Sequence, residues 1–354
     1  MTNYIIRRVL LVPILLIGVT LIIFGMIQFL GPVERSALYV KDFPKNENQI
    51  QGVIKKYGLD KPLYIQYWRW LVGQKDPASG VREGGILYGD FGYSRSASQP
   101  VFNIIKTRFP NTLDLALWTV FPMLSVGIWL GVQAAVHQNG FIDQAARIFS
   151  IVGTSFPTFV FGLLMLIIFY ANLGWFLPGK NSDWVTQVLN SGEFRRYTSL
   201  LTIDALLNGR LDIFWDALRH MILPIITLSY INWATFVRVT RSTMLETLRM
   251  EYVTTARAKG LKESVVINKH ARPNAMLTIV TMAGMSVVGL LGGVVITETV
   301  FNYPGIGQAA ANAAQQLDVI TTLGFAVFNG LILIVANLIV DVLYGVIDPR
   351  VRLD

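Results

Sequence analysis

The chain has 354 residues, 53% of them hydrophobic and only 15% charged, where an average soluble protein carries roughly a quarter charged residues. The formal net charge of +8 bears on partners and topology rather than on fold. The absence of cysteine excludes disulfide frameworks, Cys-ligated zinc and thiol nucleophiles, and three scattered histidines (His137, His220, His270) leave little for a His-rich metal site.

Six apolar spans follow one another along the chain: 9–30, 115–136, 151–173, 221–239, 275–296 and 323–346. Each is about 19 to 24 residues long, and Asp341 is the only acidic residue inside them. A 22-residue helix reaches about 33 Å, enough to cross a hydrocarbon core of about 30 Å. The predicted fold is therefore an all-α integral membrane protein with six transmembrane helices. The first span follows Arg7 and Arg8, yet it is too long for a signal-peptide core, and Gln28-Phe29-Leu30-Gly31 offers no small-x-small cleavage site, so it reads as a retained helix.

Between the first two spans, residues 31–114 mix charges (Lys41, Asp42, Lys45, Glu47) with the aromatics Tyr64, Tyr67, Trp68 and Trp70. The pattern predicts a short helix over 50–57 stopped by Gly58. A second, amphipathic helix is expected over 62–72 with Pro62 in its first turn, followed by turns at Gly80, Gly84, Gly85, Gly89 and Gly92. The aromatics suit a lipid interface or a partner contact equally. Phe156-Pro157 is expected to kink the third span, because proline removes an i→i−4 bond. Residues 174–220 form a second long connection.

Segment 238–274 carries eight Lys and Arg, the 137–150 loop one, and 297–322 none. With both termini and the basic segment on the cytoplasmic side, six crossings satisfy the positive-inside asymmetry, which leaves 31–114 and 174–220 outside. Within the basic segment, Thr243-x-x-Glu246 reads as a capping box. Leu245, Leu248, Tyr252 and Ala256 recur at helical spacing, and Gly260-Leu261 reads as a left-handed stop. A helix ending at Lys259 and a second one from Lys262 towards Pro273 thus form an elbow whose apolar stripe needs a covering surface. A docking elbow for a cytoplasmic protein, attraction to anionic lipid and a nucleic-acid patch all accommodate the charge, although no recognised nucleic-acid module accompanies it.

Thr254-Thr255-Ala256, then three residues to Gly260, nine more to His270, and Pro273 three further on, resembles the EAA loop of permease subunits of ABC importers. Thr254 and Thr255 replace the Glu and first Ala of the name. The form Glu251-Tyr252-Val253-Thr254-Thr255-Ala256-Arg257-Ala258-Lys259-Gly260-Leu261 is similar to that of the dipeptide and oligopeptide permeases. Further strings of that family occur in order: Tyr4-Ile5-Ile6-Arg7-Arg8, Tyr57-Gly58-Leu59-Asp60-Lys61-Pro62, Gly89-Asp90-Phe91-Gly92-Tyr93-Ser94, Pro110-Asn111-Thr112, Glu298-Thr299-Val300-Phe301-Asn302-Tyr303-Pro304-Gly305-Ile306-Gly307 and Asp341 to Arg350.

The resemblance implies a type I ABC importer permease in the inner (cytoplasmic) membrane. It would have an N-terminal transmembrane helix (1–30), an extracytoplasmic segment (31–114) and a five-helix core (115–354) with an external loop (174–220) and a cytoplasmic coupling loop (240–274). It implies a second homologous permease, two cytoplasmic ATP-binding subunits and an extracytoplasmic substrate-binding protein as partners, besides the bilayer, and no nucleic acid. The coupling residues would be Glu251, Tyr252, Thr255, Ala256, Ala258, Gly260 and Leu261, with Ala256 facing an ATPase groove.

The sequence contains no G-x-x-x-x-G-K-[ST] string, so no cofactor is expected on this chain, and ATP and Mg would be held by the partner ATPases. The expected role is transport rather than catalysis, of peptides or alternatively of oligosaccharides or nickel chelates. A channel or a membrane-embedded enzyme is the competing class, and an enzyme would need ionisable groups clustered within the spans. Glu298 (outer gate or simple solvation), Asp341 (structural ion pair or moving contact), Asn232 and Asn329 are candidate gate or pathway residues, with Thr227, Ser229 and Asn337 as further polar positions. Gly284, Gly289, Gly292 and Gly293 are candidate close contacts to a second permease.

Overall fold

The computed structural model describes residues 2–36, 39–40, 46–75, 80 and 82–347. Lys41, Asp42 and Lys45, and the closing Asp348-Pro349-Arg350 with Arg352, lie outside the described residues. Among the described residues, five helices are long and apolar enough to cross a membrane, or six if one sharply bent pair counts as a single span.

The first crossing is α1 (Thr2–Ile27), which continues through Pro13. Three short helices follow: α2 (Pro32–Ser36), α3 (Glu47–Tyr57) and α4 (Leu63–Val72). Helix α3 ends as the sequence indicated, with Gly58 left-handed at φ +66 and its N–H returned to the last turn. Pro62 stands as the cap of α4 rather than within it. Tyr67 and Trp70 of α4 pack on Phe24 of α1, and the Tyr67 hydroxyl meets Thr20 Oγ1 at 2.8 Å. Tyr64 and Trp68 stay exposed, so the aromatic cluster divides between packing and an open face.

Two small hairpins, β1 (Gln74–Lys75) with β2 (Arg82–Glu83) and β3 (Tyr93–Ser94) with β4 (Gln99–Pro100), lead into α5 (Val101–Val136). Helix α5 has 36 residues, and the first part of it takes up 101–114, which sequence reading placed in the connecting segment. At 1.5 Å per residue it is about 54 Å long and must project beyond the bilayer.

The third span is not merely kinked. Helix α6 (Phe141–Ser155) and the following α7 (Thr158–Met165), which runs on as a π-helix over Leu166–Asn172, meet at 103°. Phe156 is extended and Pro157 supplies no N–H, so no ladder bond bridges the break. Helices α8 (Asp183–Asn190) and α9 (Leu201–Leu207) occupy the second long connection.

Helix α10 (Leu211–Leu248) is the central post, about 57 Å over 38 residues. Here the expected capping box fails: Thr243 Oγ1 donates to the carbonyls of Val239 and Thr240, so this residue continues the helix instead of starting one. Small residues let α5 and α6 approach α10. A Cβ at Gly127 would stand 2.7 Å from Phe236 Cβ, at Gly131 2.5 Å from Thr240 Cβ, and at Gly153 2.7 Å from Ala234 Cβ.

A short α11 (Glu251–Ala258) and a single turn α12 (Glu263–Val265) follow. A π-helical stretch over Val266–Ala271 then leads into α13 (Arg272–Leu291). The fifth span therefore stops short of the predicted 296. Gly292 caps it, Gly293 turns left-handed at φ +94, and α14 (Val295–Val300) is a separate short helix. After α15 (Ile306–Gln315), α16 (Val319–Ile347) returns across the membrane beside α1, with Gly330 making room for Val19.

Candidate functional site

The elbow predicted from the basic segment exists, with its first helix shortened to α11. Helix α10 ends at Leu248 with Arg249 as its cap, Met250 is extended, and the carbonyl of Met250 receives the N–H groups of Val253 and Thr254 to open α11. Gly260 then turns left-handed at φ +76 with nothing within 4 Å of where a Cβ would lie, so backbone conformation alone selects glycine there.

The inward face of α11 is Val253 and Ala256, both buried in a cluster with Val132 and Ala135 of α5, Met244 of α10, and Val266, Ala271 and Ala275 beyond the turn. This corrects the expectation that Ala256 faces outward into a partner groove. Its smallness serves clearance inside this chain, because the i, i+3 pair Val253 and Ala256 shares one side of the helix. The outward face holds Glu251, Tyr252, Thr255 and Ala258. Around it stand the exposed apolar side chains of Met250, Leu261 and Val265, and Tyr252 itself is 42% exposed.

One contact that sequence reading missed spans the elbow. Arg257 Nη2 meets Glu263 Oε1 at 2.7 Å across the Gly260 turn, while Nη1 lies 3.4 Å from the carbonyl of Leu248. Their opposite charges six residues apart around a glycine are the signal that was available. Nearby, buried Asp143 at the start of α6 accepts from the Asn139 N–H, from Arg147 and from Arg241 of α10, whose Nη2 lies 2.9 Å from Oδ2.

At the other end of α5 a second arrangement gathers residues of the Pro110 and Glu298 strings. Glu298 is fully buried, which overturns the reading of it as simply solvated. Its Oε1 accepts from Thr112 Oγ1 at 2.7 Å and its Oε2 from the Gln308 N–H at 2.9 Å, while Thr112 accepts from the Ile306 N–H at 2.9 Å. The carboxylate thus caps α15 and fastens it to α5 and α14. A side chain at Gly305 would collide with it, which explains glycine at that position. Burial pushes the Glu298 carboxyl above its ordinary range, against the lowering effect of these hydrogen bonds.

Asn111 extends the corner, with Nδ2 donating to the Pro304 carbonyl at 2.7 Å and Oδ1 accepting from Lys180 Nζ at 2.6 Å. Burial pushes the Lys180 ammonium down to about 8. Asp318, unremarked in the sequence, ties the β3–β4 hairpin to α16 by accepting from Ser94 Oγ, Ser96 Oγ and N–H, and Thr321.

The remaining predicted positions are not gathered into one site. Asp341 pairs with Arg8 at 3.1 Å, joining α16 to α1, which is the structural partner the sequence left open. Asn232 and Asn337 donate to carbonyls of their own helices at 2.8 Å. Thr227 Oγ1, Ser229 Oγ and Asn329 Oδ1 are buried without a hydrogen-bond partner among the described residues. Gly289 opens onto free space, whereas Gly292 faces Leu333, and Gly293 faces Ile306 and Gly307 of this same chain.

Long membrane helices around one central post, with a short helix held out beyond them on an elbow, define a polytopic membrane protein. The chain belongs to the family of binding-protein-dependent transport system inner membrane components. The model of that family matches residues 127–353, and its N-terminal companion matches residues 1–116. Among its relatives, the oligopeptide transport system permease protein AppB of Bacillus subtilis is 34% identical, covering 99% of this chain and 100% of the relative. The dipeptide transport system permease protein DppB of Escherichia coli K12 is 36% identical, covering 99% of both chains. The probable D,D-dipeptide transport system permease protein DdpB of the same organism is 35% identical over 94% of this chain and 93% of the relative. The chain is thus a membrane-spanning transport subunit with the architecture of a type I ABC importer permease, and not itself an enzyme.

Proposed function

We propose that this chain is one of two homologous permeases in an ATP-driven importer of di- or oligopeptides, delivered by an extracytoplasmic binding protein and driven by two cytoplasmic ATPase subunits that hold ATP and Mg. The observation that carries the proposal is the two-sided elbow. Val253 and Ala256 anchor α11 in its own protein, while Met250, Tyr252, Leu261 and Val265 present apolar surface outward. Exposed apolar side chains on a short helix of the basic segment and the turn after it suit a protein partner. Glu251, Tyr252, Thr255, Ala258, Gly260 and Leu261 keep the coupling role in this reading, and Ala256 supports it from beneath. The Arg257–Glu263 clasp and the direct run through Val266–Ala271 into α13 give a push on α11 a route to a membrane helix.

The elbow and both termini are cytoplasmic in this reading, in the cell's inner membrane, with 31–114 and 174–220 on the opposite side. The basic stretch 238–274 against the Lys- and Arg-free 297–322 supports that orientation. The peptide substrate rests on the names of the three relatives above, all of them peptide permeases. Uptake by a deletion strain complemented with this chain tests it, using labelled dipeptides, longer peptides, an oligosaccharide and a nickel chelate side by side. ATP-dependent accumulation of a peptide is the expected result, and accumulation of the sugar or chelate alone would overturn the substrate assignment.

A further inference from the structure

Between α6 and α10 lies a cavity of about 400 Å³ lined by Arg147, Ser150, Thr154, Arg238 and Arg241, a site the transport reading leaves unused. Residues 147, 150, 151 and 154 recur at i, i+3, i+4 and i+7 and therefore share one face of α6. Across from them, Arg238 and Arg241 stand one turn apart on α10. Three arginines are among the lining residues, beside apolar Ile151 and Val237, and the carboxylate of Asp143 is divided between two of them, Arg147 and Arg241. Arg238 is exposed and forms no ion pair among the described residues. Two positive charges are thus left over at one small site.

The surroundings select among anions. Ile148, Ile151 and Val152 of α6 are 62%, 65% and 42% exposed, an aliphatic border beside the basic cavity. Arg241 is seven residues, about 10 Å, from the end of a helix that crosses the membrane, which places the cavity near the headgroup level on the elbow side. Paired basic and aliphatic surface at that depth matches a phosphate with acyl chains attached. A free anion would leave the aliphatic border uncovered, and a second protein covering the same face would have to desolvate Arg238 without a carboxylate from this chain to meet it.

We propose that this cavity seats the headgroup phosphate of an anionic phospholipid, held chiefly by Arg238 with Arg147 and Arg241, while its acyl chains lie along Ile148, Ile151 and Val152. The proposal rests on the orientation given above only in making this the inner leaflet.

Native mass spectrometry of the full chain released from nanodiscs of mixed phosphatidylglycerol and phosphatidylcholine tests it. Both leaflets there share one composition, so the readout does not depend on orientation. Phosphatidylglycerol should remain bound to the wild type and to Arg238→Lys, and fall several-fold in Arg238→Gln at an unchanged melting midpoint. Phosphatidylcholine should not remain, and 10 mM inorganic phosphate should not displace the bound lipid. Equal phosphatidylglycerol retention by Arg238→Gln would overturn the assignment. So would retention of both lipids alike, or displacement by inorganic phosphate, which would make this a simple anion site. Loss of the lipid when a second permease is added would instead make the face a protein interface.

Discussion

Replacing Ala256 by Glu and, separately, Tyr252 by Glu distinguishes the two faces of α11. Ala256 is 5% exposed and belongs to the apolar cluster of Val253, Met244, Val266 and Ala271, which would surround a new carboxylate. An unpaired charge in such a place costs several kcal/mol. Because α11 lies at the periphery and can shift to admit water, a loss on the order of 3 kcal/mol is expected. Tyr252 lies on the open face, where a substitution changes stability by about 0.5 kcal/mol or less. Thermal unfolding of the purified chain, run beside co-purification of an ATPase subunit, reads both effects. Ala256→Glu should lower the melting midpoint by several degrees and lose the partner as a consequence, while Tyr252→Glu should melt with the wild type and still lose the partner. If Ala256→Glu melts normally and fails only in partner binding, Ala256 faces the partner and the inward packing argued here is wrong.

Glu298→Ala leaves the Thr112 hydroxyl and the Gln308 N–H without their acceptor, and a loss of about 3 kcal/mol is expected in a melting experiment, with Glu298→Gln milder. Gly260→Val meets no neighbour but must hold φ +76, a strain of about 1–2 kcal/mol that should lower transport while membrane insertion, followed by fractionation, stays intact. Lys180 titrates at about 8 in the folded chain against about 10.5 when unfolded, so between those values the unfolded state binds more protons and stability rises with pH. Melting midpoints compared at pH 7.5 and 9.5 should show that rise in the wild type and a smaller one in Lys180→Met.

What the sequence reveals about this chain follows from periodicity and length. Five of the six apolar stretches coincide with long membrane helices and the third with the bent pair, Gly58 stops α3 as a left-handed glycine, and Gly260 marks the elbow. The failures share a cause, which is that local signals cannot show what a neighbouring helix will do. Thr243 and Glu246 match a capping box, but α10 was already helical, so the hydroxyl bonded backwards along the helix. Glu298 at the edge of a span read as an outer gate or as simply solvated, and solvation fails because α15 and α5 close over it. Ala256 repeats with Tyr252 at i+4, yet Val253 and not Tyr252 is its companion in the core. The 103° break at Phe156-Pro157 was visible as a proline, while its size depends on how α6 packs on α10 through Gly153 and Asp143.

A photoreactive amino acid at Tyr252, in cells expressing the chain with its transport partners, tests the coupling role of the elbow most directly. The account predicts that irradiation joins this chain to an ATP-hydrolysing subunit, and that the same probe at exposed Trp68, which the proposed orientation puts on the opposite side of the membrane, does not. Crosslinks from Tyr252 to lipid alone, in cells that still take up peptide, would contradict it.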